Sequence, residues 1–90
     1  MHRVNVQVIN PTGLHARPAS SFAKCAAKFK SEIKIARLGE NEFTNAKSVV
    51  KLLTLGLEQH QTAIIQAEGE DEQEAVSCLA ALIEDGFGEL

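Results

Sequence analysis

The sequence predicts an α+β fold with the element order β-α-β-β-α-β-α, a sheet carrying helices on one face. Three observations predict it. Residues 4–8, 33–35 and 62–67 are short runs of strand character, the first two with strict apolar–polar alternation. Stretches beginning near Ala16, Ser48 and Gly69 carry apolar residues at helical spacing. The turn Gly39-Glu40-Asn41 joins two strand-like runs so closely that they must pair antiparallel. Ninety residues suit a single domain, 1–90. A chain of that size hides only about 60–65% of its unfolded surface, so a shallow surface site is expected rather than a deep pocket.

In the first strand Val4, Val6 and Val8 alternate with Asn5 and Gln7, and Ile9 ends it. Asn10-Pro11-Thr12-Gly13 is a turn, because Pro fixes φ and Gly accepts φ > 0. The first helix is expected over residues 16–29, with Pro18, Phe22, Cys25, Ala26 and Phe29 as its core stripe. Arg17, Ser21, Lys24 and Lys28 form a polar, basic stripe on the other side, either a solvated face or a docking face for an acidic partner. A second strand covers residues 33–38, and a short third one covers 42–45 with Phe43 as its anchor.

Ser48 is a favoured N-cap for a short helix over residues 49–55, and Gly56 stops that helix. The helix is apolar on nearly all sides, so some of Val49, Val50 and Leu53 are expected at the surface, where they suit a docking patch. Residues 62–67 read as a buried fourth strand. The last helix opens on Gly69-Glu70-Asp71-Glu72-Gln73-Glu74, where acids favour the positive end of the helix dipole. Val76, Leu79, Ala80 and Ile83 form its apolar stripe, Gly86 ends it, and residues 87–90 are a tail.

Composition narrows the function. The net charge of −3 argues against a general nucleic-acid binder. No apolar run approaches the ~20 residues of a membrane span, and residues 1–4 lack a signal-peptide core. Cys25 and Cys78 have no Cys-x-x-Cys spacing and read as buried free thiols suited to a reducing cytoplasm, with a disulfide or metal site as the alternative. His2, His15 and His60 show no ligand spacing and no carboxylate cluster stands out, so no metal and no cofactor are expected.

The candidate site is Asn10-Pro11-Thr12-Gly13-Leu14-His15-Ala16-Arg17-Pro18. His15 stands just before a helix and Arg17 lies in its first turn, where Pro18 is tolerated. The free N–H groups of Ala16 and Arg17 and the helix dipole attract anions. A nucleophilic imidazole and a fixed guanidinium thus share a phosphate site. A His at a helix start is also a common surface or capping residue, so this stretch alone leaves the role open.

The whole chain resembles the HPr family, the histidine-containing phosphocarriers of the bacterial phosphotransferase system. Gly13-Leu14-His15-Ala16-Arg17-Pro18 matches the family's first motif, and Ala46-Lys47-Ser48 with the apolar run after it matches the second. Thr54-Leu55-Gly56-Leu57 and the run from Ala67 to Gln73 match later segments. The resemblance implies an open-faced β-sandwich with an antiparallel sheet of order 1-4-2-3 and three helices on one face. It implies that His15 takes a phosphoryl group on Nδ1 from phosphorylated enzyme I, with Arg17 assisting, and passes it to IIA domains of sugar permeases. Such a chain is a phosphorylated carrier, not an independent catalyst. Ser48 matches a position that an ATP-dependent kinase phosphorylates in Gram-positive relatives; a plain N-cap is the preferred reading. For docking to enzyme I and IIA domains, Val49, Val50 and Leu53 form an apolar centre, with Ser20, Lys24, Lys28 and Lys51 around it. A cytoplasmic monomer without membrane insertion is expected.

The loop of residues 38–44 is about two residues longer than the enteric pattern. Gly86-Phe87 resembles the nitrogen-related branch, whereas the segments around Thr54 and Glu70 resemble the sugar branch. The alternatives are therefore a nitrogen-related regulatory phosphocarrier with the same histidine chemistry, and a regulatory binding module that engages regulatory proteins without phosphoryl transfer.

Overall fold

Alternating strands and amphipathic helices assemble as their patterns require in a computed structural model that describes residues 1–89. The order is β1 (His2–Gln7), α1 (Ala16–Ala27), β2 (Glu32–Arg37), β3 (Thr44–Asn45), α2 (Val49–Leu55), β4 (Thr62–Glu68) and α3 (Glu72–Glu84), then a 3₁₀ turn, Gly86–Gly88. The four strands form one sheet in the order β1-β4-β2-β3, and every neighbouring pair is antiparallel. β4 is central, with Ile65 opposite Val4 on one side and Ile35 on the other.

Strand period 2 puts Val6, Ile33, Ile35, Ala63, Ile65 and Ala67 on the covered face. The helices close over it. Ala19, Phe22, Ala23 and Ala26 enter the core from α1, Leu52 from α2, and Ala75, Val76, Leu79 and Ile83 from α3. Phe22 is fully buried, and a side chain of that size contributes about 1.5–3 kcal/mol on leaving water. α3 packs on β1 and β4, while α1 lies between α2 and α3. The apolar stripe of α1 therefore decides where both other helices sit.

Several expectations shift at element ends. α1 stops at Ala27, two residues before Phe29. The reason lies across the molecule: Asp71 accepts the N–H groups of Lys30 and Ser31, at 2.8 and 2.9 Å, and the Ser31 hydroxyl as well. Those donors turn the chain into β2 instead of prolonging the helix. Asp71 thereby holds a tertiary contact, and α3 begins after it at Glu72, not at Gly69. β3 is two residues long, not four, and Phe43 does not anchor it in the core. The Phe43 ring is half-buried beneath the Arg3 guanidinium, 5.5 Å from its centroid. Ala80 is half-buried, and Ala75 takes its place in the α3 core stripe.

The cysteines are not buried thiols. Cys25 is half-buried and Cys78 is exposed, both are free, and their sulfurs lie 3.1 Å apart. Helical spacing put each on a helix correctly, but it could not show that the two faces meet at the edge of the α1–α3 contact. Residues 87–89 of the tail are held in place: Phe87 has φ +55, and Glu89 is tied to the loop after β1. Its last residue, Leu90, lies outside the described residues.

Candidate phosphoryl site

The loop between β1 and α1 is drawn tight by its own polar groups. Asn10 is fully buried, and its amide donates to the Gly13 carbonyl at 2.9 Å and to the Thr12 hydroxyl at 3.3 Å. Gly13 donates to the Asn10 carbonyl and has φ +65. A Cβ at Gly13 would lie 2.4 Å from the Leu57 carbonyl oxygen, so only glycine permits this approach. Leu14 then donates to that same carbonyl at 2.8 Å and buries its side chain completely. The chain thus delivers the next residue, His15, to a fixed position.

His15 is the N-cap residue of α1, with extended backbone and a half-buried side chain that makes no cap hydrogen bond. Its imidazole lies against Gly56: a methyl on Gly56 would be 3.8 Å from Cε1 of His15. Gly56 is the left-handed C-cap of α2, so the end of one motif helix meets the start of the other at this ring. Ala16 has φ +49, a left-handed conformation that costs a non-glycine residue of order 1 kcal/mol. It sits where the chain turns from the loop into the helix.

Ala16 and Arg17 are the first two residues of α1, so their N–H groups have no intrahelical acceptor. No side chain among the described residues caps them, and the first turn holds no acid. Arg17 is exposed and makes no ion pair among the described residues. The arrangement offers an anion two backbone donors, a positive helix end and a planar guanidinium beside an imidazole.

Two neighbours escaped the sequence reading. Glu89 accepts from Asn10 at 3.0 Å and from Thr12 at 2.8 Å, which closes the tail onto the loop. These hydrogen bonds, Asn10 first, with the Arg17 charge assisting, hold its carboxyl below the usual glutamate range. A lone acid in a tail carries no sequence signal for such a contact. Arg37 of β2 donates to the carbonyls of Leu55 and Gly56 at 2.8 and 3.0 Å, steadying the backbone under His15. A basic residue for a helix C-terminus is a general expectation, but nothing in the sequence names Arg37 as the partner of α2.

Ser48 caps α2, its hydroxyl accepting from Lys51 N–H at 3.2 Å. Val49, Val50 and Leu53 are 37%, 72% and 42% exposed, so the apolar patch on α2 reaches the surface. Lys51 is exposed beside it, and Ser20 on α1 is half-buried. Lys24 and Lys28 are exposed too, but they line a hollow between α1 and α3, on the flank of α1 that faces Cys78 and Asp85. The expected docking set is therefore divided between two sides of α1.

A profile of the family described as "PTS HPr component phosphorylation site" matches residues 2–85. The chain belongs to the HPr family. It is 47% identical over 83 residues to the phosphocarrier protein HPr of Haemophilus influenzae, covering 92% of this chain and 95% of the relative. The crystal structure of HPr-C-His from Thermoanaerobacter tengcongensis superposes with a TM-score of 0.94 at 43% identity, over 100% of this chain and 99% of that one. An HPr dimer from the same organism matches at 44% identity and a TM-score of 0.77, covering 99% of this chain and 100% of that one. The chain is a phosphocarrier of the phosphotransferase system, and its sheet order and three helices are those of HPr. No helix among the described residues is long and apolar enough to cross a membrane.

Proposed function

We propose that His15 is the phosphoryl acceptor of this phosphocarrier and that Arg17, with the N–H groups of Ala16 and Arg17, holds the transferred group. One observation carries this reading: the start of α1 is left without an acid or a side-chain cap, and a side chain with nucleophilic nitrogens stands there unused by the backbone. In the transfer, the neutral imidazole attacks phosphorus through Nδ1. A P–N bond forms at His15 as the bond from phosphorus to its donor atom on phosphorylated enzyme I breaks, the donor leaving with the electron pair of that bond. The product dianion meets donors already in place, which is what phosphoryl transfer asks of a protein. Reversal toward a IIA domain uses the same contacts, because imidazole is a good leaving group. No cofactor takes part.

Brief docking to both partners suits an exposed apolar centre at Val49, Val50 and Leu53, with Lys51 beside it and Ser20 on α1, while Lys24 and Lys28 lie on the other flank of α1. The carrier acts as a monomer in the cytoplasm. Ser48 serves as an N-cap rather than a kinase target, since its hydroxyl is engaged in the cap.

The deciding experiment is intact mass after incubation with phosphoenolpyruvate, magnesium and a sugar-type enzyme I. The expected result is a gain of one acid-labile phosphoryl group, absent in His15→Ala. A gain only with a nitrogen-type enzyme I would move the chain to that branch. A gain that survives His15→Ala would overturn the assignment of the acceptor.

A further inference from the structure

A second reactive centre lies at the other end of α1. Cys25 and Cys78 stand 53 positions apart in sequence, yet their sulfurs are 3.1 Å apart at the surface between α1 and α3. Two thiols in a packed core would be shielded from reagents; here Cys78 is exposed and opens into a hollow of about 470 Å³. Lys24 and Lys28 line the same hollow, with Asp85 at its edge, and the two lysines attract small anionic reagents. The sulfurs need to approach by only about 1 Å to reach the ~2.05 Å of a disulfide.

We propose that Cys25 and Cys78 form a redox-active dithiol that low-molecular-weight disulfides such as oxidised glutathione convert into a bridge between α1 and α3. Exposure assigns the order of events. The Cys78 thiolate attacks one sulfur of oxidised glutathione, and one glutathione thiolate leaves and takes up a proton. The Cys25 sulfur, losing its proton to water, then attacks Cys78 Sγ in the mixed disulfide and expels the second glutathione. Two protein thiols lose two electrons and two protons, and one glutathione disulfide becomes two thiols. Burial first, then the neighbouring Cys78, pushes the Cys25 thiol up to about 11, so Cys25 keeps its proton until the exposed partner has reacted. Conversion of Cys78 to a mixed disulfide removes the part of this upward push that comes from Cys78, while burial still raises the Cys25 thiol and Lys28 opposes it. Disulfides of proteins in reducing compartments are mostly of this transient, redox-sensing kind. The proposal is independent of the assignment of His15.

The test uses the reduced full chain at micromolar concentration, titrated with oxidised and reduced glutathione, quenched in acid and read by intact mass and thiol alkylation. The expected end product has lost two hydrogens, carries no glutathione and has no alkylatable thiol. Its thermal midpoint is higher by about 10 °C, because the cross-link constrains the unfolded chain. Cys25→Ser is expected to stop at one stable glutathione adduct on Cys78, and Cys78→Ser to react roughly tenfold or more slowly, in keeping with its half-buried remaining thiol. Reduced Cys25→Ser and Cys78→Ser should melt within a few degrees of the reduced parent, which shows that both are folded. A parent that ends as a glutathione adduct, as a dimer linked between chains, or with both thiols free under strongly oxidising glutathione would overturn the proposal.

Discussion

The N-terminal ends of α1 and α3 face the same electrostatic problem and solve it in opposite ways. Each presents unpaired N–H groups and a partial positive charge. α3 answers with acids: Glu72 and Glu74 lie in its first turn, and Glu72 also accepts Gly69 N–H and pairs with the terminal ammonium at 3.0 Å. Those two contacts, the backbone N–H first, draw its carboxyl below the usual range. α1 has no acid in its first turn, leaves its cap side chain unused and adds the Arg17 cation. By forgoing acids there, α1 gives up about 0.3–1 kcal/mol for each one it could have had. The difference separates a helix end tied down by its own acids from one whose donors are left open, as the proposed phosphoryl site requires.

Substitutions at the two ends should accordingly produce opposite phenotypes. The largest effect is expected at Gly13, on the α1 side. Gly13→Ala combines positive φ with a 2.4 Å clash against backbone, so unfolding in urea should show a loss of about 3 kcal/mol, with transfer impaired as the loop shifts. Arg17→Ala comes next: phosphoryl transfer from enzyme I should fall roughly 10²-fold in rapid-quench measurements, while stability stays within about 0.5 kcal/mol. Equal losses of rate and stability would collapse the contrast between the two helix ends.

Ser48→Ala, at the start of α2, tests a helix end that is capped by a neutral group. It should cost about 1 kcal/mol in chemical denaturation. The smallest effect belongs to the acidic side. Asp71 is held at about 2, chiefly by the Ser31 hydroxyl and then by Lys30 N–H. Because the native value lies below the unfolded one, the contact stabilises above the ordinary aspartate range of about 4 and is lost as pH falls through about 2. Asp71→Asn should therefore melt a few degrees below the parent at pH 7, with the gap closing between about pH 4 and pH 2 and no change in transfer. A gap that persists unchanged at pH 2 would assign the effect to lost packing.

What could be read from the sequence was what depends on neighbours along the chain. Strand alternation at Val4 and Val6, the Ser48 cap and the Gly56 stop are local, and the structure places each as expected, whereas Val8 is buried just beyond the end of β1 at Gln7. So is the position of His15 ahead of a helix with Arg17 in its first turn. What escaped is made by residues far apart in sequence. Local pattern makes Asp71 a dipole residue of its own helix, yet its carboxylate fixes the end of α1. Glu89 and Arg37 reach the site from a tail and from a strand edge. Cys25 and Cys78 each lie in a helical pattern, and only the packing of α1 on α3 brings their sulfurs together. Ala16 left no trace because an alanine does not advertise a positive φ.

The helix α2 that carries the exposed valines and leucine has only seven residues, and of these only Leu52 is fully buried. A helix that short does not persist in water by itself. It is held by its Ser48 cap at one end and, at the other, by the Arg37 guanidinium gripping the Leu55 and Gly56 carbonyls. Its amide protons therefore exchange with solvent through local openings that leave the sheet intact, well before those of β4. A partner that settles on Val50 and Leu53 covers side chains that few contacts within the chain hold in place. If the proposed docking is through this surface, recognition includes an ordering cost that the partner meets and then releases, which suits an encounter that must end soon after the phosphoryl group has moved.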